Sequence, residues 1–180
     1  MNLSGRTIGI IAGPGFEDSQ VVKVAQVLRK RRAKVVVIGS GETEAVAVAG
    51  RHGSLLKPDV VLSKARASSL DALIIPGSDT ITSLSSDERI LTLLLEMNSH
   101  KKPIGATCNA TTILAAAGLL SGMRVTGVFS IKDELEKARA LFLDQGVVVD
   151  HNLVTARAEE DIPHFVDAVS FLLEPAPSLR

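Results

Sequence analysis

The stretch PIGATCNATTILAAAG, Pro103 to Gly118, changes character at its centre. Pro103 to Thr107 reads as a short buried strand, and Asn109 to Ala117 as a small-residue helix ended by Gly118. Cys108, the only cysteine of the chain, stands at the corner between them. A strand that turns at once into a helix strains the corner residue, and the positions two before and two after must be small. Here those positions are Ala106 and Ala110. Cys108 is therefore either a nucleophile presented on a tight turn or a small apolar residue filling space, since free cysteine is among the most buried residue types.

The same alternation runs outward from this corner. Arg6–Ala12, Lys34–Ile38 and Ala72–Ile75 read as buried strands, and Val46–Val48 with Ser54–Leu56 as a small hairpin closed by Gly50–Gly53. Glu17–Arg32, Asp87–His100 and Ile162–Leu173 show helical spacing of apolar residues, and Pro163 is tolerated in a first turn. Arg124–Thr126, Val147–Val149 and Leu153–Thr155 are late strands, the last two joined by Asp150-His151-Asn152. Strand–helix alternation with continuous apolar strands predicts one doubly wound α/β domain over residues 1–180, its mainly parallel sheet covered by helices on both faces. The ligand site of such a sheet lies beyond the carboxyl ends of its strands. Three loops fall there: Gly13–Asp18, Pro76–Asp79 and Thr107–Asn109.

Composition narrows the function classes. The 180 residues carry 20 Lys and Arg against 20 Asp and Glu, so no basic surface for nucleic acid is expected. The run Arg29-Lys30-Arg31-Arg32 falls late in a predicted helix, where cations suit the helix dipole. Trp and Tyr are absent, which removes the usual stacking platforms. No apolar run approaches the roughly 20 residues of a membrane helix, and no apolar segment precedes the first strand, so a cytoplasmic protein without a signal peptide is expected. A lone cysteine excludes an internal disulfide framework and suits a reducing interior. No metal or cofactor is expected.

At the three loops the residues admit specific chemistry. The helix after Cys108 points its positive end at the sulfur, which favours the thiolate. Glu17 is either a first-turn carboxylate complementing the helix dipole, like Asp18, or a group projecting toward Cys108 for proton transfer. Gly77 and Ser78 either offer backbone amides to a substrate oxygen or simply end a strand. His52 and His151 fall in hairpin turns, His100 ends a helix and His164 opens one, so all four are expected in solvated positions.

Taken together, Phe16-Glu17-Asp18, Ile74-Ile75-Pro76-Gly77 and Ala106-Thr107-Cys108 resemble the signatures of the ThiJ/PfpI family, within the class I glutamine amidotransferase-like superfamily. Ala117–Gly122, Val125–Gly127, Ser130–Leu135 and Val147–Arg157 extend the likeness, especially to its PfpI-type branch, so that it runs from about Thr7 to Leu173. The resemblance implies a flavodoxin-like three-layer sandwich and a homodimer or higher homo-oligomer. It also implies Cys108 and Glu17 as catalytic residues, with Gly77, Ser78 and Asn109 binding the substrate or its oxyanion. The activities it covers include intracellular proteases, glyoxalase III-type enzymes, protein deglycases, isonitrile hydratases and stress chaperones. The chain departs from the pattern where Asn109 replaces the histidine after the cysteine, where uncharged Thr82 falls near the acidic partner's place, and at Ser78 and Val128. An amide takes no thiol proton at neutral pH. Two functions are thus expected as alternatives. One is a cysteine-dependent enzyme acting on a small reactive carbonyl or, as an intracellular-protease-type hydrolase, on a peptide. The other is a redox sensor or stress chaperone using Cys108 oxidation.

Overall fold

A computed structural model of the chain describes residues 1–174; residues 175–180 of the domain expected over 1–180 lie outside the described part. In chain order the elements are β1 (Thr7–Ala12), α1 (Asp18–Lys30), β2 (Lys34–Gly39), β3 (Val48–Ala49), β4 (Leu55–Leu56), β5 (Val60–Val61), β6 (Ala72–Ile75), α2 (Ile81–Ser85) and α3 (Glu88–Ser99). They continue with β7 (Ile104–Thr107), α4 (Thr111–Ala116), β8 (Arg124–Val125), α5 (Lys132–Lys137), β9 (Leu141–Phe142), β10 (Val147–Asp150), β11 (Leu153–Ala156) and α6 (Ile162–Leu173).

The central sheet has seven strands in the order β10-β11-β7-β6-β1-β2-β5. All neighbours are parallel except β10 and β11, an antiparallel edge hairpin. His151 in its turn takes a left-handed φ of 53°. The central strands β1, β6 and β7 are buried on both faces, which is why they read as continuous apolar runs. One face packs Ile8, Ile10 and Ile74 against Val24 and Leu28 of α1 and Phe165 and Val169 of α6. The other packs Ile11, Leu73 and Ile75 against Ile90 and Leu94 of α3 and Ile113 and Leu114 of α4. This is the doubly wound domain expected from the alternation, in the flavodoxin-like form that the resemblance implies.

The segment at Arg124–Thr126 departs from expectation. Its strand, β8, stays out of the central sheet and pairs in parallel with β9. Side chains of the sheet take its backbone donors: the Asp150 carboxylate accepts the Arg124 N–H at 2.9 Å and the Thr155 hydroxyl accepts the Thr126 N–H at 2.9 Å. With those donors satisfied, the segment has no need of a strand of the central sheet. The short elements β5, β9, α2 and α5 carry too few residues to show a period. The helix expected from Asn109 begins as a 3-10 turn over Cys108–Ala110 before α4.

From β1 the chain runs outward to β2 and β5, then returns to β6, β7 and β11 on the other side. The reversal falls between β1 and β6, so the loops after β1, β6 and β7 meet at one edge. Gly105 sets how closely α6 approaches β7. A Cβ there would lie 2.5 Å from Phe165 Cζ and 3.4 Å from Ile74 Cγ1. Gly105→Ala is therefore expected to destabilise by about 1–3 kcal/mol through overpacking, read from urea unfolding midpoints. Phe165→Leu in the same background should recover part of that loss.

Candidate active site

Cys108 has φ +57°, in the left-handed region that non-glycine residues rarely adopt. Holding it there costs on the order of 1–3 kcal/mol, offset by the packing around it. Ala106 and Ala110 are fully buried, so the small residues on either side are needed where the chain doubles back. The thiol itself is half-buried. Gly77 closes over it: a Cβ on Gly77 would come within 3.1 Å of the Cys108 Cβ. Behind it, the Cys108 carbonyl accepts the Val128 N–H at 3.4 Å.

The three loops expected at this edge do converge. Glu17 N–H donates to the Gly77 carbonyl at 2.8 Å, and Asp79 N–H to the Gly15 carbonyl at 2.9 Å. The residue that ties these loops to the elbow is Gln20, which the sequence did not single out. It is 4 % exposed in the first turn of α1. Its Oε1 accepts both the Gly77 N–H at 2.8 Å and the Thr107 hydroxyl at 2.6 Å. Two donors on one oxygen fix which way the amide faces. The same amide lowers the Cys108 pKa, against the rise that burial causes. Only a buried polar residue on the apolar face of α1 hinted at this role.

The expected substrate-binding groups are differently employed. The Gly77 N–H is engaged by Gln20, and the Ser78 N–H donates to Asn109 Oδ1 at 3.1 Å. Asn109 Nδ2 in turn donates to the Ser78 carbonyl at 2.9 Å. Asn109 thus pairs with the Ser78 backbone as a neighbouring strand would, and its side chain is a brace. Neither backbone amide is free for a substrate oxygen in this arrangement. Ser78 Oγ donates to the Pro14 carbonyl at 3.1 Å, tying the loop after β6 to the loop after β1.

Glu17 takes neither of the roles weighed for it at the level of hydrogen bonds. By backbone it is the N-cap of α1, yet its side chain caps nothing. Its Oε1 accepts Arg51 Nη1 at 2.8 Å, and no hydrogen bond joins it to Cys108 among the described residues. Its charge still reaches the sulfur. Burial pushes the Cys108 thiol up from its ordinary value, and Glu17 adds to that rise. The Asn109 N–H, the Gln20 amide and the Arg51 charge pull the other way without reversing it. The expectation of a thiol lowered by the helix dipole is thereby corrected, because the sulfur is half-desolvated and the first turn is a tight 3-10 turn.

His52 Nε2 lies 3.9 Å from Glu17 Oε2 on a side chain 70 % exposed. His100 Nδ1 meets the Glu96 carbonyl and His151 Nδ1 the Asp150 carboxylate, away from the loops of this edge, and His164 is exposed. Among the described residues no three His, Cys, Asp or Glu side chains gather to hold a metal, and no helix is long and apolar enough to cross a membrane. A cleft of 540 Å³ between Asn98, Lys101, Met123 and His151 opens at the amino ends of β7 and β11, and none of the elbow's side chains is in its walls.

Asp18, read from sequence as a dipole carboxylate, has a separate task. It is buried, and its carboxylate accepts the His52 N–H at 2.8 Å and the Ser54 N–H at 2.7 Å, anchoring the β3–β4 hairpin. Burial alone would raise its pKa, but the Ser54 hydroxyl and these two N–H groups hold it at about 2. The folded carboxyl thus titrates below the unfolded one. The stabilisation, about 2 kcal/mol, is fully present above roughly pH 4 and disappears as pH falls through about 2. In Asp18→Asn one amide oxygen replaces two acceptors. The variant should lose about 1–3 kcal/mol at pH 7, and urea unfolding should show its deficit shrinking between pH 5 and pH 2.

Comparison with known proteins supports the same grouping. A family model described as the DJ-1/PfpI family matches residues 6–171. A Bacillus subtilis protein named "Putative cysteine protease YraA" is 34 % identical over 161 residues, covering 89 % of this chain and 94 % of that one. General stress protein 18 of the same organism is 31 % identical over 172 residues, covering 94 % and 99 %. Among solved structures, Drosophila melanogaster DJ-1beta superposes with a TM-score of 0.85 at 28 % identity, covering 96 % of this chain and 91 % of that one. With its sheet order, its strained cysteine elbow and these matches over nearly its whole length, the chain belongs to the DJ-1/PfpI family.

Proposed function

We propose that the protein is a cysteine-dependent enzyme in which the Cys108 thiolate attacks a small reactive carbonyl. The observation that carries this reading is the sulfur itself: half-exposed on a left-handed corner, at the edge where the loops after β1, β6 and β7 meet. For a 2-oxoaldehyde such as methylglyoxal, the sulfur forms a C–S bond to the aldehyde carbon. The carbonyl electron pair moves to oxygen, which takes up a proton. Glu17, the carboxylate nearest in charge terms, serves as proton carrier: it accepts the thiol proton and later moves a proton from the former aldehyde carbon to its neighbour. Water then releases the 2-hydroxy acid and restores the thiol, so one water is consumed and oxidation at one carbon matches reduction at the next.

Peptide hydrolysis, suggested by the name of the YraA relative, is less well served. An amine leaving group needs a general acid beside it, and Asn109, which stands where a histidine follows the cysteine in PfpI-type members, is an amide. Redox sensing through a sulfinate is the second reading, favoured by the same half-exposed sulfur. Assembly as a homodimer or larger homo-oligomer belongs to the proposal as well. Leu55 and Phe129 are 71 % and 68 % exposed on two segments that flank the elbow. The cytoplasmic setting expected from a lone cysteine goes with the same chemistry.

Loss of methylglyoxal followed in the purified protein and in Cys108→Ser tests the enzymatic reading. Activity present in the wild type and reduced at least a hundredfold in the variant is expected; equal rates in both, or none in either, reject it. Mass spectrometry after mild peroxide separates the second reading, which requires a gain of two oxygens confined to Cys108.

A further inference from the structure

The β3–β4 hairpin is held against the site from three directions. Gly15 N–H donates to the Ala49 carbonyl and Arg51 N–H to the Phe16 carbonyl, both at 2.9 Å. The buried Asp18 carboxylate takes the N–H groups of His52 and Ser54. Gly50 leaves no room for movement inward, because a Cβ there would lie 2.6 Å from Asp18 Oδ1. The backbone of Arg51 is thus fixed before its side chain makes any contact. From that fixed point the guanidinium spans two loops: Nη1 meets Glu17 Oε1 at 2.8 Å and Nε lies 3.5 Å from Asp79 Oδ1.

The Arg51 side chain is 52 % exposed, and ion pairs so exposed contribute little to stability. Its position explains more than its strength. Glu17 is the anion that bears on the Cys108 sulfur, and Arg51 is the cation that bears on it. We propose that Arg51 is a positioning residue for Cys108: carried by a hairpin that Asp18 anchors, it turns the Glu17 carboxylate toward itself, joins it to Asp79, and supplies the positive charge that offsets Glu17 at the sulfur. The proposal rests on the reading of Cys108 as a reactive thiol but not on any particular substrate. Besides Glu17 and Arg51, the titratable groups of this cluster are Asp79 and His52, which face Arg51 and Glu17 in turn. The Gly77-Ser78 and Gly127-Val128 segments that pack on the elbow carry no ionisable side chain.

The test is alkylation of Cys108 by iodoacetamide between pH 6 and pH 10, followed by mass spectrometry, in the wild type, Arg51→Gln, Arg51→Lys and Glu17→Gln. Each rate is normalised to its own high-pH plateau, so that a change in access is separated from a change in titration. Arg51→Gln is expected to move the midpoint upward by about half a unit and slow alkylation at pH 7.5 about threefold, since below its midpoint a thiol loses thiolate tenfold for each unit by which that midpoint rises. Arg51→Lys keeps the charge and should stay near the wild type, and Glu17→Gln should move the midpoint downward. An unmoved midpoint in Arg51→Gln, or a lysine variant that behaves like the glutamine one, overturns the proposal. Because alkylation needs no turnover, a protein inactive on methylglyoxal but with its midpoint moved by Arg51→Gln would reject the proposed reaction and leave Arg51 in its role.

Discussion

One buried oxygen, Gln20 Oε1, holds the site together. It receives the Gly77 N–H from the loop after β6 and the Thr107 hydroxyl from the strand leading into the elbow, while its own residue belongs to the helix that follows β1. A helix, a loop and a strand that are far apart in sequence meet on that atom. In a buried setting a lost partner leaves a desolvated donor, which costs about 1–3 kcal/mol, so the amide is held to a single orientation. The strained corner at Cys108 persists because this network over-determines it.

Around the corner the protein prefers neutral groups. Gln20 and Asn109, whose side-chain oxygens lie against Gly77 over the elbow, are both amides, and each spends an oxygen on a backbone N–H. The ionisable groups stand one layer out, in the Glu17–Arg51–Asp79 cluster. Burial dominates the thiol, so it sits above its ordinary value. Such a site suits a reactive electrophile better than an unactivated amide, whose cleavage needs a strong nucleophile and an acid for the leaving group.

Much of the fold was legible along the chain. The strands β1, β6 and β7 show themselves because burial on both faces demands unbroken apolar runs, and α1, α3 and α6 because each has one apolar face. The two-residue strands and the five- and six-residue helices α2 and α5 were not legible, since a period needs several repeats to register. β8 was readable as extended chain but not as lying outside the sheet, because Asp150 and Thr155, whose side chains take its donors, are distant in sequence.

The sequence by itself determined the layered α/β architecture, the edge at which the functional loops meet and the strained place of Cys108, since each of these follows from local periodicity and from small residues at a tight turn. Only the tertiary structure decided what surrounds the sulfur. It brought Gln20 to the thiol, turned Asn109 onto Ser78, engaged the Gly77 and Ser78 amides and handed Glu17 to Arg51 from a hairpin 34 residues away. Those outcomes depend on which donors and acceptors meet across loops, and hydrogen bonding between distant segments leaves no periodic trace in the chain.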